Sequence, residues 1–172
     1  MSLNMKTLYL VGGAMGVGKT TTCKILRDSL DNCAFLDGDW CWDMHPFVVN
    51  EETRAVVEDN ICHMLNNFLH CSAFEHVVFC WVLHDQSIID TILSRVDTEG
   101  CKVINVSLVC TEDALRQRLI RDVNNGLRTP DVIARAVQRL KLYRLVDSHK
   151  VDVTHITPEE AAACIRALAA EK

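Results

Sequence analysis

No stretch of this sequence is long enough to cross a bilayer. The longest apolar run, Val77 to Leu83, falls far short of the roughly 20 residues that a spanning helix needs, so no membrane partner is expected. A cleaved leader is not expected either: MSLNMKTLYLV reaches its apolar run at once and runs straight into glycines. Met5 is a second methionine, and residues 1–4 ahead of it read as a cloning remnant outside the fold. Basic excess is missing too. The balance of 18 Lys and Arg against 23 Asp and Glu gives a net charge of −5, which argues against a nucleic-acid polymer as partner. A small anion would therefore need a local positive site. The nine cysteines are odd in number and include no C-x-x-C pair. That argues against a disulfide frame or zinc knuckle, and Cys23, Cys62, Cys80 and Cys110, set in apolar runs, read as buried free thiols of a cytoplasmic protein. Linkers, internal repeats and low-complexity tracts are absent, so 172 residues suit one domain, 1–172.

What is present alternates between two periods. TLYLV (Thr7 to Val11), CAFLD (Cys33 to Asp37), HVVFCWVL (His76 to Leu83), KVINVSLV (Lys102 to Val109) and VDVTHI (Val151 to Ile156) read as strands. Between them, Lys19 to Leu30 reads as a helix with Ile25, Leu26 and Leu30 inward. Glu51 to Leu69 does the same with Val57, Ile61, Met64, Leu65 and Phe68. Gln86 to Val96 is a third helix, and Thr111 caps a fourth that reaches about Val123. Thr129-Pro130 opens a fifth over Asp131 to Val146, and Thr157-Pro158 with Glu160 opens the last. Strict alternation predicts an α/β fold with a parallel sheet.

One motif carries specific chemistry. Gly13-Ala14-Met15-Gly16-Val17-Gly18-Lys19-Thr20 fits G-x-x-x-x-G-K-[ST] at every fixed position, after an apolar strand and before a helix. Its glycines let backbone N–H groups turn toward phosphate oxygens, and the helix that follows adds its own unpaired N–H groups. Lys19 is expected on the β- and γ-phosphates, with Thr20 on Mg²⁺ and Thr21 beside them. A dinucleotide fingerprint is excluded because Thr21 stands where its third glycine would be.

Asp37 and Asp39 end the second strand, and ligands of open parallel sheets bind beyond the carboxyl ends of strands. One carboxylate can support the metal and the other can take the proton of an attacking hydroxyl; alternatively, the D-G pair only makes a turn. Trp40 and Trp42 either stack on an acceptor or pack beneath the loop. His45 is a substrate candidate or a surface histidine. Asp85 is a substrate candidate or the cap of the next helix. Arg116, Arg118 and Arg121 are either a lid or a solvated helix face.

The phosphate loop followed by LDGD resembles the small-molecule P-loop kinases of the nucleoside-monophosphate-kinase type. Shikimate, gluconate and adenylylsulfate kinases and chloramphenicol phosphotransferase are nearest in pattern. LVCTEDALRQRLIRD and VDVTHITPEEAAACI extend the likeness over most of the chain. The resemblance implies a five-stranded sheet ordered 2-3-1-4-5 with ATP and Mg²⁺ as cofactors. It implies Arg118 stacked on adenine, Thr154 near the base, Arg121 and Arg128 in a lid over about 121–131, and an acceptor segment over about 38–72. Residues 37–50 contain no Lys or Arg, so a clamp for an acidic acceptor is not evident, and Arg54 is the closest candidate. The expected protein is therefore an ATP-dependent kinase, monomer or homodimer, acting on a hydroxyl of a small neutral or aromatic metabolite. A nucleoside or nucleotide competes within that class, and an ATPase module regulating a protein partner competes from outside it. Lys19, Asp37, Asp39 and Arg121 are the expected catalytic set.

Overall fold

β1 (Lys6–Gly13) is buried from Thr7 onward, as befits the central strand of a sheet covered on both faces. The computed structural model describes residues 5–170, so the remnant reading of residues 1–4 lies outside them. After β1 come α1 (Lys19–Asp28), β2 (Cys33–Asp37), α2 (Glu51–His70), β3 (His76–Cys80), α3 (Gln86–Arg95), β4 (Cys101–Val109), α4 (Glu112–Asn124), α5 (Val132–Leu140), β5 (His149–Asp152) and α6 (Pro158–Leu168). The five strands form one sheet in the order β2-β3-β1-β4-β5, and every pair is parallel. This is the expected P-loop architecture in a single domain.

Alternation along β1 builds the core on both sides. Tyr9 and Val11 point into one cluster with Leu26 of α1, Leu119 of α4 and Ile165 of α6. Leu8 and Leu10 point into the other with Ile61 and Leu65 of α2 and Ile89 and Ile92 of α3. Each such side chain stabilises the fold by about 1.5–3 kcal/mol when fully buried. The thiols of Cys23, Cys62, Cys80 and Cys110 are buried and free, as read from their surroundings. Among the described residues, no helix is long and apolar enough to cross a membrane.

Four elements differ from their sequence expectation. β3 stops at Cys80, not Leu83, because its partners stop pairing there: β2 ends at Asp37, level with Cys80, and β1 pairs with β3 only as far as Val11 and runs on to Gly13 against β4 alone. Only Trp81 N–H still donates to Val11 O, at 3.2 Å. The last strand is His149–Asp152 instead of Val151 to Ile156. Asp152 ends it by accepting from both N–H and hydroxyl of Thr154. α5 starts after Asp131, whose carboxylate takes the hydroxyl of Thr129, and stops at Leu140, ahead of a 3-10 turn over Leu142–Arg144. In α1 the buried stripe is Thr22, Cys23 and Leu26, with Ile25 and Leu30 only partly covered.

Asp37 and Cys80, the last residues of β2 and β3, lie level with Val11, and β1 runs two residues further to Gly13. Beyond β2 the chain makes a 3-10 turn over Gly38–Trp42, and beneath it sits Trp81, 8% exposed. A Cβ at Gly38 would lie 2.5 Å from Cγ and Cδ1 of that indole. The ring is rigid, so Gly38→Ala must displace either the turn or Trp81. It is expected to cost about 1–3 kcal/mol, the usual worth of overpacking. The urea midpoint reads this directly, and an unchanged midpoint would mean that the turn moves freely.

Candidate active site

The phosphate loop is held from three sides. Gly16 has φ 81, and a Cβ there would stand 2.4 Å from Leu119 Cδ2, so α4 packs directly on the loop. Gly18 has φ 105 as the N-cap of α1, a left-handed conformation that suits glycine. The Tyr143 hydroxyl donates to Gly13 O at 2.8 Å from a fully buried position. Burial pushes that phenol's pKa up, so it stays a donor.

Lys19 reaches back over the loop, donating to Gly13 O at 2.7 Å and Ala14 O at 3.2 Å. Burial lowers its pKa, against the attraction of Asp39 and Asp37. The last residue of β2 meets the start of α1 as well: Thr20 Oγ1 donates to Asp37 Oδ2 at 2.8 Å. The other oxygen of Asp37 accepts the N–H of Asp39 at 3.1 Å. A threonine hydroxyl beside a buried carboxylate is a hard-oxygen donor set, and Mg²⁺ that also binds nucleotide phosphates needs only one or two such protein ligands. Thr20 and Asp37 therefore fit Mg²⁺.

Three cavities surround this centre. The first, about 360 Å³, is lined by Lys19, Thr20, Asp39, Arg118, Arg121 and Arg128. The second, about 230 Å³, continues past Arg118 to Val153, Ile156, Thr157, Pro158 and Ala161. The third, about 650 Å³, opens on the opposite side of the loop, between Asp37, Asp39, Trp40, Trp42, Phe47 and Arg139. Asp39 borders both the first and the third. Burial, then the Asp37 charge, raise its pKa, while Lys19, Arg128 and the Trp81 indole pull it down.

The arginines divide. Arg116 pairs with Glu112 at 2.7 Å on an exposed helix face, the solvated reading. Arg118 donates to Val17 O at 3.2 Å and Val153 O at 2.5 Å, tying the loop to the start of the second cavity. Arg121 faces both of the first two cavities, and Arg128 pairs with Asp122 at 3.1 Å over the first. Thr154 lies beside the second cavity without lining it; its hydroxyl accepts from Thr111 N–H at 3.0 Å and donates to Asp152.

The acceptor-side candidates divide too. Trp40, 53% exposed and edge-on to Phe35, and Trp42, beside Phe47, are both on the wall of the third cavity. His45 and Arg54 are exposed and line none of the cavities described. Asp85 caps α3, accepting from Ser87 N–H at 2.8 Å and from the Ser87 hydroxyl at 2.6 Å, which is its other reading from sequence. Three residues of the site escaped sequence reasoning. Arg139 comes from α5, about a hundred residues after the acceptor segment, so local inspection of residues 37–50 could not find it. Tyr143 falls within the stretch read as the fifth helix and Trp81 within the strand HVVFCWVL, and neither stretch carries a local sign of a polar role.

A model of the AAA domain family matches residues 10–134. Nothing among curated protein sequences matches this chain. Among solved structures, a gluconokinase from Sinorhizobium meliloti 1021 is 18% identical with a TM-score of 0.69, over 97% of this chain and 95% of that one. The tunicamycin resistance protein of Deinococcus radiodurans is 16% identical with a TM-score of 0.71, over 97% of both chains. A shikimate kinase from Acinetobacter baumannii, solved with shikimate, is 23% identical with a TM-score of 0.63, over 96% and 93%. These likenesses show a shared fold across nearly the whole chain.

If Lys19 holds terminal phosphates, Lys19→Ala should weaken ATP binding by roughly 10–100-fold, as expected for charge-assisted hydrogen bonds worth about 1.5–3 kcal/mol. ADP should lose less, lacking the γ-phosphate. Titration calorimetry with both nucleotides checks the order, and equal losses would contradict it.

Proposed function

This chain belongs to the AAA domain family, and from that we propose that it is an ATP-dependent kinase transferring the γ-phosphoryl group to a hydroxyl of a small acceptor. The observation that carries this reading is the position of Asp39, which borders the phosphate-loop cavity on one side and the aromatic cavity on the other. A base for phosphoryl transfer belongs between donor and acceptor, within reach of the attacking hydroxyl. In this reading Asp39 takes the hydroxyl proton as that oxygen bonds to phosphorus and the bond to the ADP oxygen breaks. Lys19 and Arg121 stabilise charge on the migrating group. Thr20 and Asp37 hold Mg²⁺, which when bound offsets charge on the phosphate oxygens.

The loop residues from Gly13 to Thr21 cradle the phosphates. Arg118 and the segment near Thr154 flank the base, and Arg128 closes the lid over about 121–131. The segment over about 38–72 supplies the acceptor wall. Nine free thiols suit a reducing cytoplasm.

Arg139 changes the acceptor expected from sequence. The third cavity has aromatic faces on Trp40, Trp42 and Phe47, and a guanidinium that the local sequence did not offer. We infer an acceptor with an aromatic or apolar face and an anionic group, not a wholly neutral one. A nucleotide and an aromatic hydroxy acid both meet that description. Incubating the protein with ATP, Mg²⁺ and a metabolite library, then reading mass gains of one phosphate, tests the activity. ATP consumption that proceeds at full rate without any acceptor would favour the rival ATPase module acting on a protein partner.

With the acceptor in hand, Arg139→Ala should raise its KM about tenfold or more, since hydrogen bonds to charged groups are worth about 1.5–3 kcal/mol, and leave the KM for ATP unchanged. An unaltered acceptor KM removes Arg139 from recognition. The two aspartates should separate as well. Asp39→Asn should bind MgATP normally yet transfer about 10²–10⁴-fold more slowly, the usual contribution of a positioned base. Asp37→Asn should need more Mg²⁺ for half-maximal rate. Identical shifts in metal dependence would show that the roles are divided wrongly.

A further inference from the structure

One buried donor beside the transfer site has no hydrogen-bond partner. Trp81 is anchored by its N–H on Val11 O and by its ring on Gly38. The ring atoms nearest a Cβ at Gly38 are Cγ and Cδ1, both at 2.5 Å, and Cδ1 is bonded to Nε1, so the five-membered side of the indole, which carries the ring N–H, lies against the turn from Asp37 to Asp39. That nitrogen is solvent-excluded and meets no acceptor within hydrogen-bond geometry. A buried indole N–H usually finds a partner, and an unmet one calls for a reason.

The surrounding groups narrow the choice of partner. Asp37 has one oxygen on the Thr20 hydroxyl and the other on the Asp39 N–H. Asp39 is the carboxylate whose charge the indole N–H favours, although the two stop short of a hydrogen bond. Two of the cations near Asp39 are committed in part: Lys19 to the carbonyls of Gly13 and Ala14, and the Nε of Arg128 to Asp122. The Trp81 N–H is a buried donor beside the Asp39 carboxylate with no acceptor of its own, whereas Arg121 and Arg139 reach the same cavities as exposed cations.

We propose that Trp81 is a positioning residue for Asp39: in the nucleotide complex its indole N–H donates to one carboxylate oxygen and leaves the other turned toward the acceptor hydroxyl. A carboxylate held by one oxygen no longer rotates about its Cβ–Cγ bond, so the free oxygen stays aimed at the proton it must take. The indole can do this because Gly38 admits its edge to the turn. The inference rests on the reading of Asp39 as the base.

The indole N–H can be observed without any acceptor. The chain has three tryptophans, so protein carrying ¹⁵N-labelled indoles gives three N–H signals, assigned by Trp40→Phe, Trp42→Phe and Trp81→Phe. On adding Mg²⁺ and a non-hydrolysable ATP analogue, the Trp81 proton should move downfield and exchange more slowly with solvent. Neither change should occur in Asp39→Ala. A Trp81 signal that does not respond, or responds equally in Asp39→Ala, overturns the proposal. Kinetics on the metabolite pool gives the second arm. Trp81→Phe keeps an aromatic ring over Gly38 and deletes the donor, so turnover should fall about tenfold, the worth of one hydrogen bond, with the KM for ATP unchanged. In an Asp39→Asn background the same change should add nothing, whereas additive losses overturn the positioning role. Asp39→Asn at the wild-type rate overturns the base reading, and this role with it, even if the indole signal answers to Asp39. A silent indole signal with Asp39→Asn slow overturns this role alone.

Discussion

The hydroxyl of Thr20, in the first turn of α1, and the carboxylate of Asp37, at the end of β2, meet at 2.8 Å although β1, which leads into that helix, and β2 are not neighbours in the sheet. β3 lies between β1 and β2, and its Cys80 is level with Val11 on one side and Asp37 on the other. Parallel register brings the ends of β2 and β3 to one line with Val11, β1 runs two residues further, and the glycine loop then carries Thr20 back across the gap. Everything at the site is measured from that line. Asp39 is two residues beyond it on β2, Trp81 one residue beyond it on β3, and the loop itself continues β1.

Charge at this line is arranged so that each buried group has something to offset its desolvation. Asp37 is 5% exposed and accepts two hydrogen bonds, which is what a buried carboxylate requires. Lys19 is satisfied by loop carbonyls and faces both aspartates. Asp39 differs: it stands exposed at the rim of both cavities, with desolvation and then Asp37 opposing its charge and Lys19, Arg128 and the Trp81 indole favouring it. A protein usually tolerates such a group where chemistry uses it.

Most of the architecture could be read in the chain because alternating apolar strands and helices leave few ways to cover a parallel sheet. The loop glycines, Thr20 and the acidic pair could be read because the motif is contiguous. Arg139 and Tyr143 could not, since they reach the loop from α5 and the 3-10 turn after it, and no local spacing links them to Gly13 or Trp42. Trp81 was hidden differently: an apolar run such as HVVFCWVL looks the same whether its last aromatic fills the core or approaches a carboxylate. Strand ends slipped for a related reason. Periodicity marks where a strand could run, while its neighbours decide where pairing stops, as at Cys80. Asp85 illustrates the reverse case, where a cap and a ligand have the same signature and only its bonds to Ser87 decide.

The order of the strands has a consequence for synthesis. β1 is made first but lies in the middle of the sheet, and its partners Val77 and Val103, both opposite Leu8, leave the ribosome some 70 and 95 residues after it, about 5–20 s at ordinary elongation rates. Until then TLYLV has no sheet to join. The wall of the second cavity formed by Thr157, Pro158 and Ala161 arrives later still. In the proposed reading the nucleotide pocket is therefore complete only when α6 has docked, and a nucleotide bound there would stabilise the finished fold without guiding its early steps.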